Sequence, residues 1–204
     1  MSDSGPLVCL ASVSPRRRAL LAQLGVPYLV QPADIDETQA PGEAAADYVV
    51  RVARAKALAV RARGVELPVL AADTAVVLDE MIFGKPRDRA DAAAMLLALA
   101  SRTHRVLTAV ALAYAAGVAF HLSASEVRMR AISAAECAAY WDSGEPRDKA
   151  GGYAIQGRGA VFVEHLSGSY SGVVGLPLFE TAQLLTAAGV PRTLGQAQAG
   201  SPAP

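Results

Sequence analysis

A buried strand that runs straight into a helix through a basic turn is the most restrictive feature of this chain. Leu7 to Ala11 is a short apolar run, Ser12 to Arg18 is polar and basic, and Ala19 to Leu24 carries helical character. Ser14 suits an N-cap, Pro15 the first helical position and Gly25 the left-handed stop after Leu24, so the segment reads as strand, turn, helix. Arg16, Arg17 and Arg18 then ride the first helical turn, at the positive end of the helix dipole. Cations are mildly unfavourable there unless an anion answers them, and backbone N–H groups at that end already attract negative charge. An anionic ligand such as phosphate resolves the conflict. A solvated basic patch at an ordinary helix start fits the same residues.

The rest of the chain alternates in the same style. Leu67 to Ala72 is a second apolar run, expected to be a strand ending at Asp73-Thr74. Between the two strands, Glu43 to Arg63 places apolar residues at helical spacing, preceded by Pro41-Gly42 and followed by Gly64. Asp88 to Ala100 reads as a helix with an acidic first turn. Val106 to Ala115 and Val118 to Glu126 flank Ala116-Gly117 as a hairpin, with Val127 to Ala131 extending the second arm. Ser133 and Glu136 form a capping box that opens a helix to about Trp141. Ala160 to Leu166 is expected as a strand, and Leu176 to Ala188 as a last helix with Pro177 in its first turn and Gly189 closing it. No fixed-period repeat occurs. These elements make one domain over residues 1–191, and the Gln, Ala, Gly, Ser and Pro composition of 192–204 predicts a disordered tail.

Charge narrows the function. Lysine plus arginine and aspartate plus glutamate both number 19 in the 204 residues, so no global field recruits nucleic acid or an acidic membrane, and anion binding has to come from local focusing. Cys9 and Cys137 lack metal or redox spacing and read as buried reduced thiols of a cytosolic protein. Neither a signal peptide nor a stretch able to span a bilayer is found, and a cytoplasmic location is the expectation.

Four polar islands interrupt the apolar pattern: Ser12 to Arg18, Asp34 to Glu37, Asp73 with Lys85, and Glu145 to Gln156. All are expected in loops, where a rigid scaffold displays reacting groups. Asp73 ends an apolar run, so desolvation would raise its pKa while a cation would lower it; such a carboxylate serves as general base or metal ligand. A turn aspartate capping its own backbone fits equally. Glu37, the preferred second metal ligand beside Asp73, can share magnesium or manganese with phosphate oxygens, although solvated loop acids look the same. Lys85, stiffened by Pro86, suits a phosphate contact, and a surface turn lysine is the plainer outcome. The segment Gly144 to Gly157 is glycine-rich, and the Gln156 amide offers the donor and acceptor that a uracil-type edge requires; a mobile loop is the alternative. His104, His121 and His165 have no triad or ligand spacing and read as structural or solvated.

Taken together, Leu10-Ala11-Ser12-x-Ser14-Pro15-Arg16-Arg17, Ala72-Asp73-Thr74, Gly84-Lys85-Pro86, Asp148 to Gly157, Gly168-Ser169-Tyr170 and Val174-Gly175-Leu176-Pro177 closely resemble the Maf family of nucleoside triphosphate pyrophosphatases, over Leu7 to about Ala188. The resemblance implies an α/β fold, a curved mixed β-sheet with helices forming two lobes around a central cleft, related to the house-cleaning inosine triphosphate pyrophosphatases. It implies cleavage between the α and β phosphates with a divalent cation, magnesium or manganese, and a homodimer. Asp73 matches the family's proton acceptor; Ser12, Arg16, Arg17, Glu37, Lys56, Lys85 and Gln156 match its other polar site positions. Arg16, Thr74 and Gln156 look like the branch preferring dTTP and UTP rather than the 7-methyl-GTP branch. Association of the family with arrest of septum formation gives a second, non-enzymatic reading.

Overall fold

The computed structural model describes residues 5–192. Its centre is a seven-stranded mixed sheet built from β1 (Val8–Leu10), β2 (Tyr28–Val30), β3 (Val69–Leu78), β4 (Met81–Phe83), β5 (Thr103–Tyr114), β6 (Gly117–Met129) and β7 (Val163–Ser167), in the order β2-β1-β3-β5-β6-β7 with β4 also on β3. The β1 strand is parallel to β2 and β3, whereas β4 to β7 join antiparallel. The helices are α1 (Pro15–Gln23), α2 (Ala45–Arg61), α3 (Arg89–Leu99), α4 (Ala134–Asp142), α5 (Tyr170–Val174) and α6 (Leu178–Ala187).

Alternation along β3 divides the core in two, because successive side chains point to opposite faces. Leu70, Ala72 and Val76 face a large cluster of leucine and aromatic residues from α1, α3, α4 and α6. Val69, Ala71, Ala75 and Val77 face α2 in a second cluster made chiefly of alanine and valine, including Ala53 and Ala57 of the helix and Ala109, Ala111 and Ala113 of β5.

The local signals behave as their chemistry dictates. Ser14 caps α1 and accepts a hydrogen bond from the Arg17 amide at 3.4 Å, with Pro15 in the first turn. Ser133 and Glu136 form the reciprocal capping box of α4, and the β5–β6 hairpin turns between Tyr114 and Gly117. Three expectations require correction. Strand β3 does not stop before Asp73 but continues to Leu78, because β5 pairs along its whole length, Asp73 opposite Ala109 and Thr74 opposite Thr108. Asp73 is therefore a strand residue. The strand expected over Ala160 to Leu166 begins only at Val163; Arg158–Phe162 is a 3-10 turn, since pairing to β6 starts at Met129 opposite Val163. The last helix starts at Leu178, with Pro177 as its N-cap residue. Strands β2 and β4, three residues each, are too short to leave a periodic signal. The tail expectation beyond Arg192 lies outside the described residues.

The site follows from an interrupted edge. Opposite β5, the other edge of β3 is covered by β1 at Val69 and Leu70 and by β4 from Val76 to Leu78. Between these patches Asp73 and Thr74 lie on uncovered edge, beside the carboxyl end of β1, the place where open α/β sheets hold ligands. No helix among the described residues is long and apolar enough to cross a membrane.

Candidate active site

A cleft of about 580 Å³ opens over this gap, and every candidate residue lines it: Ser12, Arg16, Arg17, Glu37, Lys56, Asp73, Thr74, Lys85 and Gln156. Four sequence-distant islands thus converge. Five cations line the cleft, Lys149 joining Arg16, Arg17, Lys56 and Lys85, against the three carboxylates of Glu37, Asp73 and Asp148. Arg18 does not line it, and Asp36 instead accepts a hydrogen bond from the Thr38 amide at 2.8 Å.

Strand β3 aims two neighbours in opposite directions. Asp73 lies on the α2 face, where Lys56 Nζ donates to Asp73 Oδ1 at 2.9 Å and to Glu37 Oε2 at 2.7 Å. Lys56 sits in the apolar stripe of α2 and is itself buried, which is tolerable because two carboxylates compensate its charge. The Asp73 carboxyl is raised above its ordinary range, chiefly by burial; the charges of Lys56 and Arg17 pull the other way, and Glu37 adds to the rise. Tyr48, one helical turn from Val52, also lines the cleft, and burial and the Asp73 and Glu37 charges push its phenol up.

Thr74 takes the other face. Arg17 Nε donates to the Gly175 carbonyl at 2.8 Å and Nη2 to Thr74 Oγ1 at 3.3 Å, while the buried Thr108 hydroxyl donates to the Gly172 carbonyl at 2.7 Å and lies 3.0 Å from Thr74 Oγ1. No carboxylate bonds to Arg17 among the described residues, and burial is the main influence lowering its pKa. Its remaining N–H groups are left for an anion. Ser12 Oγ accepts from the Ser14 amide at 3.2 Å at the mouth of α1.

Arg16 bridges to the opposite wall through Asp148 at 3.3 Å, and Lys149 also holds Asp148. Burial alone would raise the Asp148 carboxyl, yet the hydrogen bond from Lys149 and the charges of Lys149 and Arg16 hold it below the usual range. Lys85 makes no ion pair among the described residues. Sequence reasoning missed Tyr48, Thr108, Asp148 and Lys149. Asp148 and Lys149 stand in the motif already singled out, but Thr108 becomes visible only through its pairing with Thr74. His104 is structural: its Nε2 lies 2.8 Å from the buried Tyr153 hydroxyl, and burial lowers it to about 4. Cys9 and Cys137 are buried and unpaired.

The carboxylates bear on a metal. No group of three His, Cys, Asp or Glu residues among the described ones could cage an ion. Glu37 and Asp73 each keep one oxygen, Oε1 and Oδ2, outside the bonds to Lys56. Such a pair fits a hard cation that takes most of its ligands from phosphate oxygens and water.

The family model for Maf-like proteins matches residues 7–188. A dTTP/UTP pyrophosphatase of Bordetella avium is 52% identical over 197 residues, covering 92% of this chain and 98% of that protein. One of Saccharophagus degradans is 52% identical over 193 residues, covering 93% and 92%. The solved Ham1 protein of Staphylococcus aureus aligns over 60% of this chain and 71% of its own at 11% identity and a TM-score of 0.40. With the family match running from β1 to the end of the last helix and its motifs gathered around one cleft, the chain belongs to the Maf family.

Proposed function

We propose that this cleft hydrolyses dTTP and UTP between the α and β phosphates, releasing a nucleoside monophosphate and pyrophosphate. One observation carries the reading: a buried carboxylate with a raised pKa, Asp73, stands on an open strand edge in a cleft lined by Arg16, Arg17 and Lys85. The 52% identity to proteins named dTTP/UTP pyrophosphatase supports the substrate.

Asp73 accepts a proton from the attacking water; its raised pKa makes it a better base than an exposed aspartate. Lys56 keeps that carboxylate ionised and aimed. Two of its three N–H groups serve Glu37 and Asp73, so Lys56 has one donor left for phosphate and most of the phosphate holding falls to Arg16, Arg17 and Lys85. Arg16 and Arg17 are held in place before the substrate arrives, by Asp148 and by Gly175 with Thr74, and with Lys85 they stabilise charge as it develops on the bridging and leaving oxygens. A magnesium or manganese ion held by Glu37 and Asp73 would neutralise phosphate charge and orient water. Gln156 meets the pyrimidine edge with one donor and one acceptor. A cytoplasmic homodimer is part of the same reading, and the buried, unpaired cysteines suit a reducing compartment.

A nucleotide panel tests the proposal: pure protein with magnesium or manganese, assayed for pyrophosphate and monophosphate. UTP and dTTP are expected to turn over fastest. Preference for 7-methyl-GTP would overturn the pyrimidine assignment, and absence of pyrophosphate with every nucleotide would overturn the activity. Light scattering on the eluting protein reports the dimer.

A further inference from the structure

The turn that presents Gln156 is pinned from behind by two residues that do not line the cleft. Gln156 lies in a turn closed by the Gly157 amide donating to the Ala154 carbonyl at 3.1 Å. On its near shoulder, the Ala154 amide donates to Tyr140 Oη at 3.0 Å. On its far shoulder, the Arg158 amide donates to Glu145 Oε2 at 2.9 Å and the Gly159 amide to Glu145 Oε1 at 3.0 Å. The two anchors are tied together, because Tyr140 Oη donates to Glu145 Oε1 at 2.6 Å.

Each anchor is itself fixed. Tyr140 comes from α4, is 5% exposed, and its ring packs edge-on against Phe162 at 5.2 Å. Glu145 follows Gly144, whose φ of 77° lets the chain turn sharply out of α4. Despite partial burial, the donors from Tyr140, Arg158 and Gly159 hold the Glu145 carboxyl below the usual range. The clamp also accounts for Gly157 of the motif and for Gly159 just beyond it. A Cβ on Gly157 would collide with the Glu145 carboxylate, and one on Gly159 would lie 2.6 Å from Tyr140 Oη and 2.9 Å from the Ala154 carbonyl. The surrounding backbone is a series of 3-10 turns without a ladder of its own; burial of Tyr153, Ala154 and Ile155 seats the shoulder before Gln156, and the bonds to Tyr140 and Glu145 are the side-chain anchors that fix the turn on both sides of it.

We propose that Tyr140 and Glu145 are positioning residues for base selection: they lock the turn that aims the Gln156 amide, so that discrimination between nucleobases depends on two side chains remote from the nucleotide. The inference rests on the assignment of Gln156 to the base edge. Phosphate handling draws on α1, β3 and Lys85, none of which bonds to Tyr140 or Glu145; its link to the clamp is Asp148, which pairs with Arg16 at the far end of the turn that Glu145 opens.

Tyr140→Phe removes the hydroxyl and keeps the ring against Phe162; Glu145→Gln keeps the shape and removes the charge. Both are measured for kcat and KM with UTP and GTP, and for inhibition of UTP hydrolysis by inorganic tripolyphosphate, which has no base. The expected result is a rise in KM for UTP and a fall in the UTP to GTP ratio of about tenfold, with tripolyphosphate inhibition unchanged. In a Gln156→Ala background neither substitution should lower that ratio further, because the effect runs through Gln156. An unchanged ratio in both single variants, or an equal additional loss in the Gln156→Ala background, would overturn the clamp. Weakened tripolyphosphate inhibition in both would also overturn it, by exposing a general collapse of the cleft. Failure of the assigned activity is separate, since it shows in the unsubstituted protein as absence of pyrimidine nucleotide turnover.

Discussion

Asp73 and Thr74 are adjacent on one strand, yet the two faces of the sheet treat charge in opposite ways. On the α2 face, the Lys56 cation is matched by two carboxylates at hydrogen-bond distance. On the other, the Arg17 guanidinium is gripped by neutral oxygens only, the Gly175 carbonyl and the Thr74 hydroxyl. A compensated cation tunes the carboxylate beside it. A half-buried cation held by dipoles, without a counter-ion, keeps its charge for a ligand and gains from that ligand an offset to its desolvation. On the proposed reading the strand carries the base, Asp73, on one side and, on the other, Thr74, which helps hold Arg17 of α1 as the phosphate anchor.

The sharpest way to break this division is Asp73→Asn, which preserves shape and removes the base. Turnover of UTP is expected to fall by roughly a thousandfold in steady-state assays while nucleotide affinity, measured by calorimetry, stays within roughly tenfold. Retained turnover would show that the α2 face does not perform the proton transfer. Next in size, Arg17→Gln leaves hydrogen-bonding capacity toward Gly175 but no charge. A drop of roughly a hundredfold in kcat/KM is expected, together with loss of tripolyphosphate inhibition.

Lys56→Met should cost less at neutral pH, about tenfold in kcat/KM, and it separates tuning from binding. Burial raises the Asp73 pKa and the Lys56 charge lowers it; removing Lys56 raises it further. Activity that needs the ionised carboxylate is lost as pH falls through that pKa, so the acid limb of the kcat/KM profile moves to higher pH. A limb that moves down would reverse the assigned sign. The smallest effect belongs to Thr108→Val, which leaves the Gly172 carbonyl without its donor. A stability loss of about 1–2 kcal/mol in urea unfolding is expected, with kcat/KM lowered only several-fold.

Sequence legibility followed the range of the interaction involved. The Ser14 and Ser133 caps and the β5–β6 hairpin turn are decided within a few residues, and they stand where local chemistry puts them. The candidates in the four polar islands reached the cleft because each island carries its own polar signal against an apolar background, whereas Lys56, in the apolar stripe of α2, was marked by the family resemblance alone. What remained hidden was set by distant partners. Asp73 lies inside a strand because β5 continues past it, a pairing across more than thirty residues that no window around Ala72-Asp73 contains. The engagement of Lys56 with Glu37 and Asp73 was invisible for the same reason: its helix reports only that the position faces inward. Thr108 has no local signature, and the bonds from Tyr140 and Glu145 to main-chain amides depend on backbone geometry rather than on residue pairs.

The layer of alanines between α2 and the sheet has a further consequence. Methyl groups at Ala71, Ala75, Ala109 and Ala111 act as shims that set how low the helix rides, and hence whether the tip of Lys56 meets its two acids. Thickening that layer by a branched side chain would lift the helix and retune the base from deep inside the molecule. Inheritance can therefore alter the reaction without touching any group that meets the nucleotide, and a survey confined to the cleft walls would overlook the cause.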